Sequence, residues 1–348
     1  MQVPVERLCA FVAQLFEAVG IEAADAATTA RRLVDGDLRG RSGHGVIRVA
    51  PYIERIEAGG INRLPDVQVE DVAPAAARVD GDNGLGPVIV TRATELAIEK
   101  ALVTGVAWVG TVRSNHAGAA GVYAAMAAEK GLIGVYMAVA NGNAMAPWGG
   151  DRKLLGTNPI AIAVPSASGQ PFVLDIATTT ASHGTIRVAA DAGERMPEGW
   201  VVDAEGNPVT DPGKADEGFL VPMGGYKGAG LNIAIGLLAG VLNGAAFGSS
   251  VVDQVADSST PTNTGQAIVV MRADLFAPRD ETLAAVEAGL QELRAGTSSA
   301  RPLRLPGDEA NARQSEQLRS GVALSDLLVR RLDAVAERVG VSERLATS

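Results

Sequence analysis

Three histidines, His44, His116 and His183, are the side chains of this sequence that exchange protons near neutral pH without environmental help. His116 sits in Val112–Arg113–Ser114–Asn115–His116–Ala117–Gly118, between an apolar strand-like run and a helix start. The carboxyl end of a strand in an α/β sheet is where ligands usually sit. Ser114 or Asn115 is suited to capping the helix, and Ala117 and Gly118 leave room beside the imidazole. Such a residue suits general acid–base work, and it equally suits a histidine satisfied by local hydrogen bonds.

His44 precedes Arg48 by four residues and Tyr52 by eight. In a helix those three share one face, offering a proton carrier, a guanidinium fork for a carboxylate and a phenol. Pro51 interrupts that helix or restarts it. The other reading is a surface helix with His44 and Arg48 solvated. His183 follows Asp175–Ile176–Ala177–Thr178–Thr179–Thr180, a run rich in hydroxyls, and reads as structural. Lys227 lies in Met223–Gly224–Gly225–Tyr226–Lys227–Gly228, just before a long helix. Free N–H groups, flexible glycines and an ammonium suit a phosphate, and they also suit a close-packed helix start.

Several chemistries are excluded. No H-x-x-x-H or H-E-x-x-H spacing offers a local metal site, so no metal is expected. No G-x-S-x-G elbow presents a serine nucleophile. No G-x-G-x-x-G or P-loop pattern occurs. The nearest glycine-rich loop, 81–87, has the wrong spacing, and Pro87 lacks an N–H that a phosphate cradle needs.

The elements that must position these residues follow from periodicity. Val5, Leu8, Val12, Leu15 and Phe16 predict a first helix ended by Gly20. A second runs from Ala23 to Asp37, and a third segment covers Ser42 to Gly59. Strands are predicted at 67–70, 76–80, 106–112, 132–139, 160–164, 172–176 and 266–271, with helices over 87–104, 117–130, 228–243 and 280–295. Residues 193–225 form an excursion rich in turn signals, 297–308 read as loop, and Ser325 caps a final helix ending near Gly340. Strand–helix–strand spacing argues for an α/β sheet with crossovers.

Length and composition bound the class. The chain has 348 residues, enough for about two domains or one large α/β domain with an appendage. A net charge of −10 without a basic run argues against nucleic acid as partner. Cys9 is the one cysteine, which excludes an intrachain disulfide. The N-terminus lacks signal-peptide features, and no apolar run approaches the ~18 residues of a membrane span. A cytoplasmic protein without a membrane partner is expected.

The ordered series Asp37–Leu38–Arg39–Gly40 with His44–Gly45–Val46–Ile47–Arg48, Ser114 to Gly118, Ala146 to Gly150, Gly156 to Pro159, Asp175 to Thr178, Pro197 to Trp200, Gly224 to Gly228 and Leu305 to Asp308 resembles the type 2 malate/L-lactate dehydrogenase family. That family includes ureidoglycolate, sulfolactate and cyclic imino-acid oxidoreductases. The resemblance spans nearly the whole chain. It implies a non-Rossmann, mixed-sheet α/β fold, which accounts for the missing fingerprint. The division it implies is a helical substrate and dimerisation domain (1–72 and 309–348) around an α/β cofactor domain (73–308). It further implies a homodimer, NAD or NADP as cofactor, and hydride transfer at C2 of a small 2-hydroxy or 2-oxo acid. His116 would be the proton acceptor, with His44 and Arg48 lining the pocket and Arg48 holding the carboxylate. Asn141, Asp175, Ile176, Ala177, Lys227, Gly307, Asp308 and Glu309 would contact the cofactor. Gly43, Asn141–Gly142–Asn143 and Ala229 depart from the family's usual Ser, Asn-Ser-Pro and Tyr, and the first two flank the expected pocket. Reduction of cyclic 2-imino acids is the alternative activity, and a catalytically silent nucleotide-binding relative is the non-enzymatic one.

Overall fold

A computed structural model describes residues 1–296 and 303–346. The chain opens with β1 (Gln2–Val3), α1 (Val5–Ala18) and α2 (Ala23–Leu38). Leu8, Phe11, Val12, Leu15 and Phe16 form one apolar stripe and are buried, and Gly20 ends α1 at φ +88. On α2 the matching stripe is Ala26, Ala30, Leu33, Val34 and Leu38, and it also carries Asp37. α3 (Val49–Glu57) adds Ile53 and Ile56 to this helical core.

The central sheet has seven strands: β2 (Gln68–Ala73), β3 (Ala76–Asp80), β4 (Val106–Ser114), β5 (Leu132–Ala138), β6 (Ile160–Val164), β7 (Phe172–Ile176) and, after the short β8 (Val201–Val202) and β9 (Phe219–Leu220) hairpin, β10 (Thr264–Arg272). Its order is β2-β3-β4-β10-β5-β6-β7. Among the described residues β3 and β4 are the one parallel neighbouring pair, joined by α4 (Gly86–Thr104). β4 and β5 also run the same way, joined by α5 (Ala120–Glu129), but β10 is inserted antiparallel between them. This mixed sheet is the expected non-Rossmann fold. Small residues let the helices approach closely: a side chain on Gly134 of β5 would lie 2.4 Å from the Ala124 carbonyl of α5. Ala93, Ala97, Ala124 and Ala127 line the same layer, and Tyr123 stacks on Tyr136 at 5.2 Å.

Beyond β7 lie α6 (His183–Ala192) and α7 (Tyr226–Ile235); after β10 come α8 (Arg279–Ala295), α9 (Asp308–Ser320), β11 (Val322–Ala323) and α10 (Asp326–Val339). β11 pairs with β1, and Val329, Leu332 and Val335 of α10 join the core of α1 to α3. No helix among the described residues is long and apolar enough to cross a membrane.

The register explains where a site can form. Thr264 of β10 pairs with Ser114 of β4, Gln266 with Ala138 of β5, and Ile160 of β6 with both Met137 and Ile176. The carboxyl ends of β3, β4, β5 and β7 therefore lie along one edge of the sheet.

Some expectations change. Residues 42–48 are not an α-helix but two 3-10 turns, Ser42–His44 and Val46–Arg48, separated by Gly45; α3 then starts at Val49 with Pro51 in its first turn, where a missing N–H costs nothing. The helix after Lys227 begins at Tyr226 and widens at Gly236–Gly240 before a last tight turn at Val241–Asn243. α6 and α9 are helices that the periodicity does not predict. Asp308 opens α9 rather than closing a loop, and residues 297–302 of that predicted loop lie outside the described residues.

Candidate active site

His116 lies half-buried in the loop between β4 and α5. The Tyr52 hydroxyl reaches it from α3, 2.7 Å from His116 Nδ1 and 2.8 Å from the His116 carbonyl oxygen. The Gly118 N–H points at the same Nδ1 at 3.3 Å. Both neutral tautomers are accommodated. With Nδ1 bare, it accepts from Gly118 and Tyr52, and Nε2 carries the proton. With Nδ1 protonated, it donates to Tyr52, whose hydroxyl turns to the His116 carbonyl, and Nε2 is bare. Rotation of one hydroxyl thus supports either a proton donor or a proton acceptor at Nε2, which has no protein partner among the described residues. Burial above all, then Arg48 and His44, holds the His116 pKa well below the usual histidine value.

The two 3-10 turns bring His44 and Arg48 to the same place. The His44 ring lies over His116 in an offset stack, centroids 5.6 Å apart and planes 17° from parallel. Burial, then Arg48 and Arg41, pushes His44 down to about 4, so it is neutral at pH 7. Arg48 donates from Nε to the Gly43 carbonyl at 2.7 Å. Its terminal nitrogens have no protein partner among the described residues and are free for a planar anion. Burial lowers the Arg48 pKa, and the Arg187 cation of α6 lowers it further.

Behind His116 the loop is tied down by amides and hydroxyls. Asn115 donates to Asn83 Oδ1 at 3.0 Å and the Gly84 carbonyl at 2.9 Å, and its own Oδ1 accepts from Thr262 at 3.0 Å. Asn115 does not cap α5, and neither does Ser114: that helix starts at Ala120 without a cap from either. Thr262 and Thr264 hydroxyls are 2.9 Å apart, and Thr264 accepts from the Asn141 amide. Asp82, Asn83, Arg113 and Asn263, all here, adopt positive φ, a clustering of backbone cost that accompanies functional sites.

The residues expected to contact the cofactor lie around β5 and β7. Asn141 follows β5. Asp175, at the end of β7, is held by Arg41 (Nε to Oδ2 3.3 Å) and by the Gly121 N–H in the first turn of α5; burial still raises its pKa. Ile176 and Ala177 follow, half-buried. The 223–228 turn is anchored on this strand end by the Met223 N–H to the Thr178 carbonyl, 2.9 Å. Gly307 packs on β7, where a side chain would meet the Val173 nitrogen at 2.7 Å. The Asp308 and Glu309 side chains are committed to protein: Asp308 to Arg294 and the Leu305 N–H, Glu309 to Arg304 and Arg313. His183 is exposed on α6, 4.0 Å from Asp216, and does not join His44 and His116.

The sequence points to no role for Asp37, Arg41, Thr262 or Thr264, and for Asn115 it points only to a helix cap that the structure does not show. Two signals mark Asp37 in the sequence: it is a carboxylate at an i+7 position of an apolar stripe, and it opens the Asp37–Leu38–Arg39–Gly40 motif.

The malate/L-lactate dehydrogenase family model matches residues 3–333. The malate dehydrogenase of Pyrococcus horikoshii is 35% identical, with 98% of this chain and 96% of that protein covered. Its solved structure superposes with a TM-score of 0.90 over 99% of this chain and 97% of that one. Ureidoglycolate dehydrogenase (NAD(+)) of Escherichia coli K12 is 34% identical, covering 88% of each. The (2R)-3-sulfolactate dehydrogenase (NADP(+)) of Chromohalobacter salexigens is 35% identical, covering 92% of this chain and 93% of that protein. These relatives are each matched over 88% or more of both chains. The chain belongs to the malate/L-lactate dehydrogenase family and is an NAD(P)-dependent 2-hydroxyacid dehydrogenase.

The donor set fits a nicotinamide dinucleotide. Lys227 is exposed with no ionic or hydrogen-bonding partner among the described residues, and Gly224, at φ +61, has open space where a side chain would stand. A cation and accessible backbone at a helix start are what a pyrophosphate requires.

Proposed function

We propose that the chain interconverts small 2-hydroxy and 2-oxo acids, with His116 moving the hydroxyl proton and Arg48 holding the carboxylate. The observation that carries this is the convergence of His44, Arg48 and Tyr52, from one stretch of sequence, on His116 from another. Asn141, Asp175 to Ala177, Lys227 and Gly307 to Glu309 would hold the nucleotide, the last three through backbone, since Gly307 has no side chain and the Asp308 and Glu309 carboxylates are engaged. When bound, the nicotinamide exchanges a hydride with C2 of the substrate.

In oxidation, His116 Nε2 accepts the substrate hydroxyl proton while Nδ1–H donates to Tyr52. In reduction, His116 enters protonated and returns that proton to the forming alkoxide. The low His116 pKa keeps the free site ready as an acceptor. A carboxylate docked on Arg48 offsets that cation's share of the shift, so an anionic oxo acid assists its own protonation. Arg48 also fixes the substrate so that C2 presents in one orientation.

The test is a turnover screen of pyruvate, oxaloacetate, sulfopyruvate and piperideine-2-carboxylate, each with NADH and NADPH. Turnover of an oxo acid supports the reading. Turnover of the cyclic imine alone replaces it with imine reduction. Failure of all four with both nucleotides would remove this substrate class. We also read the chain as a homodimer, supported by the exposed apolar row Leu237, Leu238, Val241 and Leu242. Light scattering at monomer mass would contradict the dimer.

A further inference from the structure

Arg48 and His44 are carried by a segment with little regular structure of its own. Two 3-10 turns, three residues each, meet at Gly45. Such turns are too short to set a direction. Something outside them must fix the angle at which the second turn leaves the first.

That contact comes from α2. Asp37 is buried, and its Oδ2 accepts the Val46 N–H at 2.7 Å, the first N–H beyond Gly45. Its carboxyl lies flat on the Gly45 α-carbon: a methyl group built there would sit 2.2 Å from the carboxyl carbon and from both oxygens. Real side-chain carbons do not approach so closely, so glycine and the carboxyl occupy one another's only room. The preceding carbonyl, of His44, is wedged between two further glycines, 3.3 Å from a side-chain position on Gly36 and 3.1 Å from one on Gly118. Gly118 belongs to the His116 loop. The junction is therefore gripped by α2 on one side and the His116 loop on the other.

We propose that Asp37 is a positioning residue for the substrate pocket: against Gly45 and on the Val46 N–H, it sets the turn that places Arg48 and His44 in front of His116. This rests on the reading of Arg48 as the carboxylate clamp. Asp37 does not touch substrate; it acts through the backbone of residues 45–48. Its side chain holds the acceptor that Val46 needs and the width that a side chain at 45 would destroy.

The test is steady-state kinetics of the full chain with the oxo acid it turns over best, for G45A, D37A, D37N, the double D37A/G45A and R48A. Circular dichroism and nucleotide binding by protein fluorescence show which variants are folded. A displacement of about 1 Å in a clamp costs about a hundredfold in kcat/KM. G45A and D37A should lose that much, mainly as a raised KM for the oxo acid, with the KM for nucleotide little changed. D37N keeps an acceptor for Val46 and should stay close to the parent. In the D37A background the added methyl of G45A fills vacated space, so its further effect should be much smaller than in the parent.

A G45A effect of equal size in both backgrounds overturns the proposal, as does a parallel rise in both KM values, which marks general damage. If G45A and D37A fail to fold, D37L, which keeps the volume and lacks the acceptor, is set against D37N: a raised oxo-acid KM in D37L beside a parental one in D37N upholds the role, and a parental KM in D37L overturns it. R48A separates the layers. If R48A leaves the oxo-acid KM unchanged, the carboxylate clamp is wrong and the proposal falls with it. If R48A raises it while D37A and G45A do not, only the positioning role is wrong.

Discussion

The surroundings of His116 and those of Lys227 are built on opposite plans. Around His116, Asn115, Asn83, Thr262 and Tyr52 spend their hydrogen bonds on one another and on the loop. Around Lys227, two glycines at positive φ lead into a helix, and the ammonium reaches no protein partner among the described residues. The first region is completed by the protein itself. The second presents donors whose partner must come from outside. A proton carrier needs one fixed orientation before substrate arrives, whereas a phosphate-binding turn needs accessible backbone and an unspent charge. The contrast predicts that damage on the two sides will read out differently.

The largest effect should follow loss of the proton carrier. H116A should reduce turnover about 10²–10⁴-fold, with nucleotide affinity nearly unchanged in a fluorescence titration. Undiminished turnover would remove His116 from the chemistry. The parent should also show a direction-dependent pH profile. Because burial, Arg48 and His44 depress the His116 pKa, kcat/KM for oxidation should stay flat through neutral pH and fall only in acid, while kcat/KM for reduction should climb as pH drops. Profiles that break near 6.5 in both directions would contradict the depressed value.

On the open side, K227A should weaken nucleotide binding by about 1.5–3 kcal/mol, at least tenfold, the usual worth of a hydrogen bond to a charged group. Its melting temperature should match the parent, because that ammonium has no ionic or hydrogen-bonding partner among the described residues. N115A should do the reverse. It strands acceptors at Asn83 and Gly84 and should cost about 1–3 kcal/mol in urea unfolding. Equal effects of K227A and N115A on stability would dissolve the contrast.

The difference also shows in what the sequence could reveal. Strong periodic segments, such as Leu8 to Phe16 in α1 and Leu132 to Ala138 in β5, were legible because their buried stripes repeat at 3.6 or 2. α9 was not: of its thirteen residues only Asn311 and Gln317 are buried, so it carries no apolar stripe. α6 buries only Ile186 and Ala189. The break at Gly45 was hidden for a related reason, since 3-10 turns of three residues leave no period. His116 was legible as a residue at a strand end. Its partners were not, because Tyr52 lies 64 positions away and Thr262 lies 147 from Asn115. Pairings of that range come from sheet order, and β10 inserting between β4 and β5 is not written in local pattern.

The smallest expected effect concerns the buried carboxyl that serves the fixed side. Burial pushes Asp37 from its ordinary 3.8 up to about 7, against the Val46 N–H that pulls it down. No charged side chain is among the causes. Asp35 on the same helix is paired with Arg31 and Arg32, Arg41 is on Asp175, Arg48 on the Gly43 carbonyl, and Arg313 of α9 lies over Gly40. The sign follows from linkage. Between about pH 4 and 7 the folded chain holds a proton on Asp37 that the unfolded chain has released, so this group's contribution to stability falls as pH rises through that window. D37N neither gains nor loses a proton there, and its amide still offers an acceptor to Val46. The melting temperature of D37N minus that of the parent should therefore rise from pH 4 to about 7 and level off above it. Taking the difference cancels the opposite trend from His44 and His116, whose depressed pKa values cost stability as pH falls below about 6.5. A flat difference would mean that Asp37 stays ionised inside the fold, and that a cation or water must then stand beside Gly45 to hold it.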